Sequence, residues 1–162
     1  KCEKKRVNKR KTKIIMGGKY HLFCQYHPYS TQWGSMHWAH YRTDDIISWE
    51  LLPCAMAPDE VYDAGGYFSG SALETEKGHV LMYTEVMLET DADGLSRMRQ
   101  QQAIAIGDGE TYHKLADNPV ITSDMLPEGC SREDFRDPKI WKENDRYYAL
   151  MANRSVTGGG QA

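Results

Sequence analysis

Apolar and aromatic positions recur in short runs between turn residues, not in a sustained helical period. Residues 19–26 alternate aromatic or apolar side chains with polar ones, and residues 36–41 are dense in aromatics. Residues 67–73 follow the Gly65-Gly66 pair, and residues 79–86 form a further apolar run. Residues 101–106 and 146–152 complete the set. Runs of about 5–8 residues bounded by Gly, Pro, Asp and Asn predict β-strands. No stretch holds a 3.6 period with caps at both ends, so long helices are not expected.

The pattern also repeats. Asp45-Ile-Ile-Ser-Trp49-Glu-Leu-Leu52 and Asp108-Gly-Glu-Thr-Tyr112-His-Lys-Leu115 share acid, aromatic and Leu positions at an offset of 63 residues. Each follows a predicted strand and precedes a loop with a proline, Pro53 or Pro119. Such an echo predicts repeated antiparallel units, as in a β-propeller. A period near 63 fits about two and a half blades into the chain, whereas a closed propeller typically needs four or more. On that reading the chain is incomplete.

Composition narrows the class. With 162 residues, 40% hydrophobic and 27% charged, the chain has the size and make-up of one domain or part of a larger one. No window approaches 18 apolar residues, so no transmembrane helix and no membrane partner are expected. Residues 1–13 carry eight Lys/Arg and one acid, a local net of +7, against −10 for the remainder. This basic segment holds no aromatic side chain to stack on bases, so no nucleic-acid partner is expected. It also lacks the apolar stretch of a secretory signal. Residues 1–13 therefore read as an atypical basic segment and residues 14–162 as the folded body.

Cys2, Cys24, Cys54 and Cys130 form no CxxC pair and have no His at zinc-finger spacing. Cys24 and Cys54 read as small buried hydrophobes. The default location is the cytoplasm, where thiols stay reduced. His37 and His40 are three apart in a predicted strand, so they face opposite ways and cannot share a ligand sphere. Asp91-Ala-Asp93-Gly94 lacks the later ligands of a calcium loop and reads as a turn. No metal and no cofactor are expected.

Five ordered blocks carry the chemistry. They are Gly18-Lys-Tyr-His-Leu-Phe-Cys-Gln-Tyr-His-Pro28, Trp33-Gly-Ser-Met-His-Trp-Ala-His40, Asp45-Ile-Ile-Ser-Trp49-Glu-Leu-Leu-Pro53, Phe68-Ser-Gly-Ser-Ala72 and Phe135-Arg-Asp-Pro-Lys139. In this order and spacing the chain resembles the β-fructofuranosidase family: invertases, sucrose-6-phosphate hydrolases, levanases and inulinases. The resemblance covers roughly residues 14–162. It implies an all-β fold, part of a five-bladed β-propeller with four-stranded blades. It also implies a retaining glycoside hydrolase acting on terminal β-D-fructofuranosyl bonds, with a fructoside or sucrose-type carbohydrate as partner.

The family's site uses a nucleophilic Asp, a transition-state-stabilising Asp and an acid/base Glu. Retention requires two carboxyls about 5–5.5 Å apart, one attacking and one protonating the leaving oxygen. The resemblance places Asp137 as the stabiliser, with Arg136 beside it to keep it ionised. It places Gln25, Trp33, Phe68 and Ser69 around the furanose, where ring faces meet C–H-rich sugar faces and amide or hydroxyl groups give directed hydrogen bonds. Trp38 and Trp49 read as core. A gapless register sets Asn8 on the motif's Asn and Lys9 where the nucleophilic Asp belongs, and no Glu-Cys pair occurs in the 162 residues.

Three expectations follow. Gln25, Ser69 and Asp137 should converge at one end of the sheets. The chain as written should not hydrolyse sucrose, because a lysine cannot form the glycosyl ester. Residues 1–13 should stay out of the propeller, with regular β-structure resuming near Ile14, since the cost of burying several cations is large. The alternative reading is a non-catalytic sugar-binding protein or an inert fragment of such an enzyme, and unpaired strand edges make self-association possible.

Overall fold

The structure is a computed structural model that describes residues 11–161, with side chains from 14 to 160. Three antiparallel sheets follow one another along the chain. The first holds β1 (Lys11–Met16), β2 (Lys19–Tyr26), β3 (His37–Thr43) and β4 (Glu50–Met56). The second holds β5 (Tyr67–Thr75), β6 (Gly78–Thr90), β7 (Ser96–Gly107) and β8 (Tyr112–Lys114). The third holds β9 (Arg136–Glu143), β10 (Arg146–Ser155) and β11 (Gly159–Gln161). Strand order equals chain order in each sheet, and β5 packs beside both β1 and β9. First strands lying side by side with sheets radiating from them is the blade arrangement of a β-propeller. Among the described residues no helix is long and apolar enough to cross a membrane.

Alternation along the strands builds the seam between blades 1 and 2. Phe23, Trp38, Ala55 and Met56 from blade 1 meet Tyr67, Leu81, Tyr83, Ala103 and Ala105 from blade 2. Leu81, Tyr83 and Tyr67 are fully enclosed, and each side chain of that size stabilises by about 1.5–3 kcal/mol when buried. Ala103 and Ala105 leave room on β7 for the large rings opposite. Blades 2 and 3 meet along β5 and β9 but leave part of their apolar seam open. An open apolar groove of about 550 Å³ runs between them, lined by Val80, Met82, Ile104, Ile140 and Tyr147 among others.

The 63-residue echo is structural. Asp45 Oδ1 accepts the N–H groups of Ile47 (2.8 Å) and Ser48 (2.7 Å). Asp108 Oδ1 accepts those of Glu110 (2.9 Å) and Thr111 (2.8 Å). Both acids thus cap the turn before the outermost strand of a blade. Those bonds to the charged form hold Asp45 down to about 2 and lower Asp108 as well.

Four expectations need correction. β1 begins at Lys11, three residues ahead of Ile14, and pairs with β2 from Lys11↔Cys24 to Met16↔Lys19. β4 contains Pro53, which is tolerated because β4 is an edge strand with a register shift between its pairings to Trp38 and His40. Trp49 is not core: it is part-exposed, and its ring N–H donates to Ile46 O at 3.0 Å. Cys54 is exposed on that same edge strand.

Candidate active site

The start of β5 is tied to blade 1 by bonds of several kinds. The Tyr67 N–H donates to Met36 O (3.0 Å), and Gln25 Nε2 donates to Tyr67 O (2.8 Å). Trp38 Nε1 donates to Phe68 O (3.0 Å). Gly66 has φ +92, and a Cβ there would lie 2.3 Å from Met36 N, so only glycine permits this approach. A register shift between Tyr67↔Glu85 and Gly70↔Tyr83 leaves Phe68 and Ser69 in a bulge. Gly70 follows it, where a Cβ would sit 2.2 Å from Met82 O. The Phe68-Ser-Gly-Ser71 block is therefore set by backbone proximity as well as by side-chain chemistry.

Asp137 is held from the other face of blade 2. Its N–H donates to Thr84 Oγ1 (3.0 Å), Thr84 donates to Gln102 Oε1 (3.0 Å), and Gln102 Nε2 donates to Phe135 O (2.8 Å). Thr84 and Gln102 are fully buried. Asp137 has φ +60, a left-handed conformation that costs a non-glycine residue energy and that Asp tolerates better than most. Strain of this kind persists where surroundings over-determine it, commonly at functional sites.

Gln25, Phe68, Ser69 and Asp137 thus lie where β2 finishes, β5 and β9 begin, and β6 passes through Thr84 and Glu85. Trp33, 55% exposed, packs edge-to-face on Phe68 with ring centroids 5.6 Å apart. Ser69 Oγ is enclosed and has no partner among the described residues; such a hydroxyl gains when a polar group reaches it. Arg136 departs from expectation: its Nη2 pairs with Asp134 Oδ1 at 2.7 Å and its Nη1 donates to Gln100 Oε1 at 3.4 Å. Asp134 also takes Arg154 at 2.9 Å. Asn8 and Lys9 lie outside the described residues. His37 and His40 part company on β3, His37 Nδ1 lying 3.1 Å from Ser35 O and His40 Nε2 2.8 Å from His21 Nδ1. Among the described residues no three His, Cys, Asp or Glu side chains are grouped to hold a metal ion.

Thr84, Gln102 and Glu85 were not singled out from sequence. Their signal was present: Thr84-Glu85 and Gln100-Gln101-Gln102 set polar residues inside apolar strands, and all five are buried. Glu85 lies opposite Tyr67 and Gln101, and its Oε1 accepts from Gln101 Nε2 at 3.1 Å. Burial, reinforced by nearby Asp63, pushes its carboxyl up to about 8.

A model of the Glycosyl hydrolases family 32 N-terminal domain matches residues 1–161. The chain belongs to glycosyl hydrolase family 32. Among family 32 relatives it is similar to the sucrose-6-phosphate hydrolase of Zymomonas mobilis, 37% identical over 143 residues, 88% of this chain and 27% of that protein. It is also similar to the levanase of Bacillus subtilis, 39% identical over 152 residues, 85% of this chain and 20% of that one. The structure matches the GH32 beta-fructofuranosidase of Bombyx mori with a TM-score of 0.79 at 34% identity, covering 93% of this chain and 30% of that one. The chain therefore spans under a third of the length of these relatives. Its three sheets are those of a family 32 propeller domain, and the family match includes residues 1–13.

Proposed function

We propose that this chain forms a fructoside-binding end of a retaining glycoside hydrolase that cleaves terminal β-D-fructofuranosyl bonds of sucrose, sucrose 6-phosphate or fructans. The observation that carries the reading is the convergence of Gln25, Phe68, Ser69 and Asp137, tied together through Tyr67 and Thr84. In this reading the Asp137 carboxylate binds furanose hydroxyls and offsets the positive charge that develops on the ring. Gln25 and Ser69 give directed hydrogen bonds, and Trp33 with Phe68 forms an apolar wall. Arg136, engaged with Asp134, supports the loop that aims Asp137. Asn8 would sit beside the sugar, and the exposed thiol of Cys54 suits a reducing, cytoplasmic setting.

Retention needs an attacking carboxylate and a proton-donating carboxyl. The gapless register gives the first place to Lys9, whose amine cannot form a glycosyl ester, and this favours a second reading in which the chain binds sugar without cleaving it. Calorimetric titration with fructose and sucrose, alongside a glucose-release assay, separates the two. The expected result is binding weakened by Asp137→Ala, with no glucose released above buffer. Binding unaffected by Asp137→Ala would overturn the placement of the site, and glucose release would overturn the non-catalytic reading.

A further inference from the structure

Glu85 is a buried acid that the proposed chemistry does not use. Its side chain is 0% exposed, and its Oε2 is enclosed without a partner among the described residues. It sits at a junction. The residue before it, Thr84, receives the Asp137 N–H, and the residue paired with it, Tyr67, receives the Gln25 amide. The two halves of the candidate site are thus hung from the two faces of one dipeptide on β6.

We propose that Glu85 is a positioning residue, held as an uncharged carboxylic acid, that fixes Tyr67 and through it the amide of Gln25. A neutral acid is tolerated in that space, whereas a carboxylate there would be buried with one neutral hydrogen bond. The groups facing it give a carboxylate little support. From the 3-10 turn at Val61–Asp63 comes Asp63, itself acidic and bonded by Tyr67 OH at 2.8 Å. β5 offers Tyr67, β6 itself Tyr83, and β7 the Gln101 amide. Lys114 on β8, the cation whose charge acts on it, is committed to Asp63 and Asp59. Arg99, next along the same face of β7, is committed to Glu89 and Asp91. On the far face lie Arg136, paired with Asp134, and Asp137. Ionisation therefore sets a second negative charge beside Asp63 and forces the Tyr67–Glu85 pair apart. The Gln25 contact to Tyr67 O loosens with it.

The test follows Gln25 directly and needs neither sugar nor activity. NMR of the carboxyl-labelled chain reports Glu85, and solvent exchange of the Gln25 side-chain amide reports the contact. Glu85 should titrate near pH 8, with the protection of Gln25, taken relative to its intrinsic base-catalysed exchange rate at each pH, falling at least about tenfold across the same window as the contact opens. Glu85→Gln, which keeps the shape and neutrality, should hold Gln25 protected at every pH; Glu85→Ala should lose protection at every pH. Glu85 titrating in the ordinary carboxyl range, Gln25 exchange indifferent to it, or a Glu85→Gln variant with the parent's pH profile would each overturn the proposal. The link to sugar binding rests on the proposed function and is read separately. Fructose affinity should fall in the same window for the parent and stay flat for Glu85→Gln. Affinity indifferent to pH while Gln25 still responds would refute the sugar site and leave the positioning role intact.

Discussion

The two seams of this molecule are built differently. Between blades 1 and 2, Phe23, Trp38, Tyr67, Leu81 and Tyr83 are all at or below 2% exposed and interlock as one apolar cluster. Around blade 3, Trp141, Tyr147, Tyr148 and Leu150 keep 36–58% of their surface in solvent. Blade 3 is also joined to blade 2 by polar bonds, among them Ile140 N–H to Ser71 Oγ, Asp137 N–H to Thr84 Oγ1 and Gln102 Nε2 to Phe135 O. Apolar packing supplies stability over a broad area, whereas hydrogen bonds contribute modestly each but fix direction. Gln25 therefore stands on a rigid seam and Asp137 on a directional one.

The largest effect expected from this contrast is on stability. Trp38→Ala should cost about 3–5 kcal/mol in urea denaturation, the usual range for removing a large buried aromatic. Tyr148→Ala should cost under about 1 kcal/mol, since its ring is already part-exposed. Equal costs would mean that the seams are packed alike.

Acid should attack the first seam next. His21, His40 and His79 gather there, with His21 stacked on His40 at 5.1 Å and edge-on to His79 at 5.6 Å. His40 Nδ1 and His79 Nε2 are enclosed without partners among the described residues. Burial, then the neighbouring histidines, pulls His40 down to about 3 and His79 to about 4; burial with Arg42 and Lys19 lowers His21. For bases lowered in this way the unfolded chain binds protons first. The stability is complete above 6.5 and is lost as pH falls from there through 4 and 3. The unfolding free energy from urea denaturation should drop between pH 7 and pH 4 by about a few kcal/mol, and His40→Phe, at a ring stacked on Phe23, should flatten the slope. A parent midpoint independent of pH in that window would count against neutral buried imidazoles.

The directional seam is probed by Thr84→Val, which keeps the shape and removes the acceptor for Asp137. Leaving that N–H unpaired costs about 1–3 kcal/mol locally. Amide exchange should accelerate at Asp137 and stay slow at Phe23, on the far seam. The smallest effects belong to the echoed turns. Asp45→Ala and Asp108→Ala should each lower stability slightly and by a like amount, because each loses the same two backbone acceptor bonds.

Much of the fold was legible because its signals are local. The strand at 19–26 is observed with those bounds as β2, and the Asp45/Asp108 echo marks equivalent turns in blades 1 and 2. β4 was missed because Pro53 interrupts it, and a proline reads as a break until the strand is known to be an edge. Trp49 was misread because a lone aromatic in a β pattern carries no mark of which face it takes. The site motifs were legible as chemistry but not as partnerships. Adjacency in sequence suggested an Arg136–Asp137 pair, while the left-handed turn at Asp137 goes with Arg136 pairing with Asp134 instead. Thr84 and Gln102 act through contacts 53 and 33 residues away along the chain, and Glu85 through one 16 residues away on the next strand, which no local pattern encodes.

The most direct measurement is chemical-shift mapping of the isotopically labelled chain during titration with fructose. The predicted result is saturable shifts at Gln25, Phe68, Ser69 and Asp137, with the Trp33 indole signal moving alongside them. Shifts confined instead to Val80, Met82, Ile140 and Tyr147, in the apolar groove between blades 2 and 3, would contradict the placement of the sugar at the Gln25–Asp137 end.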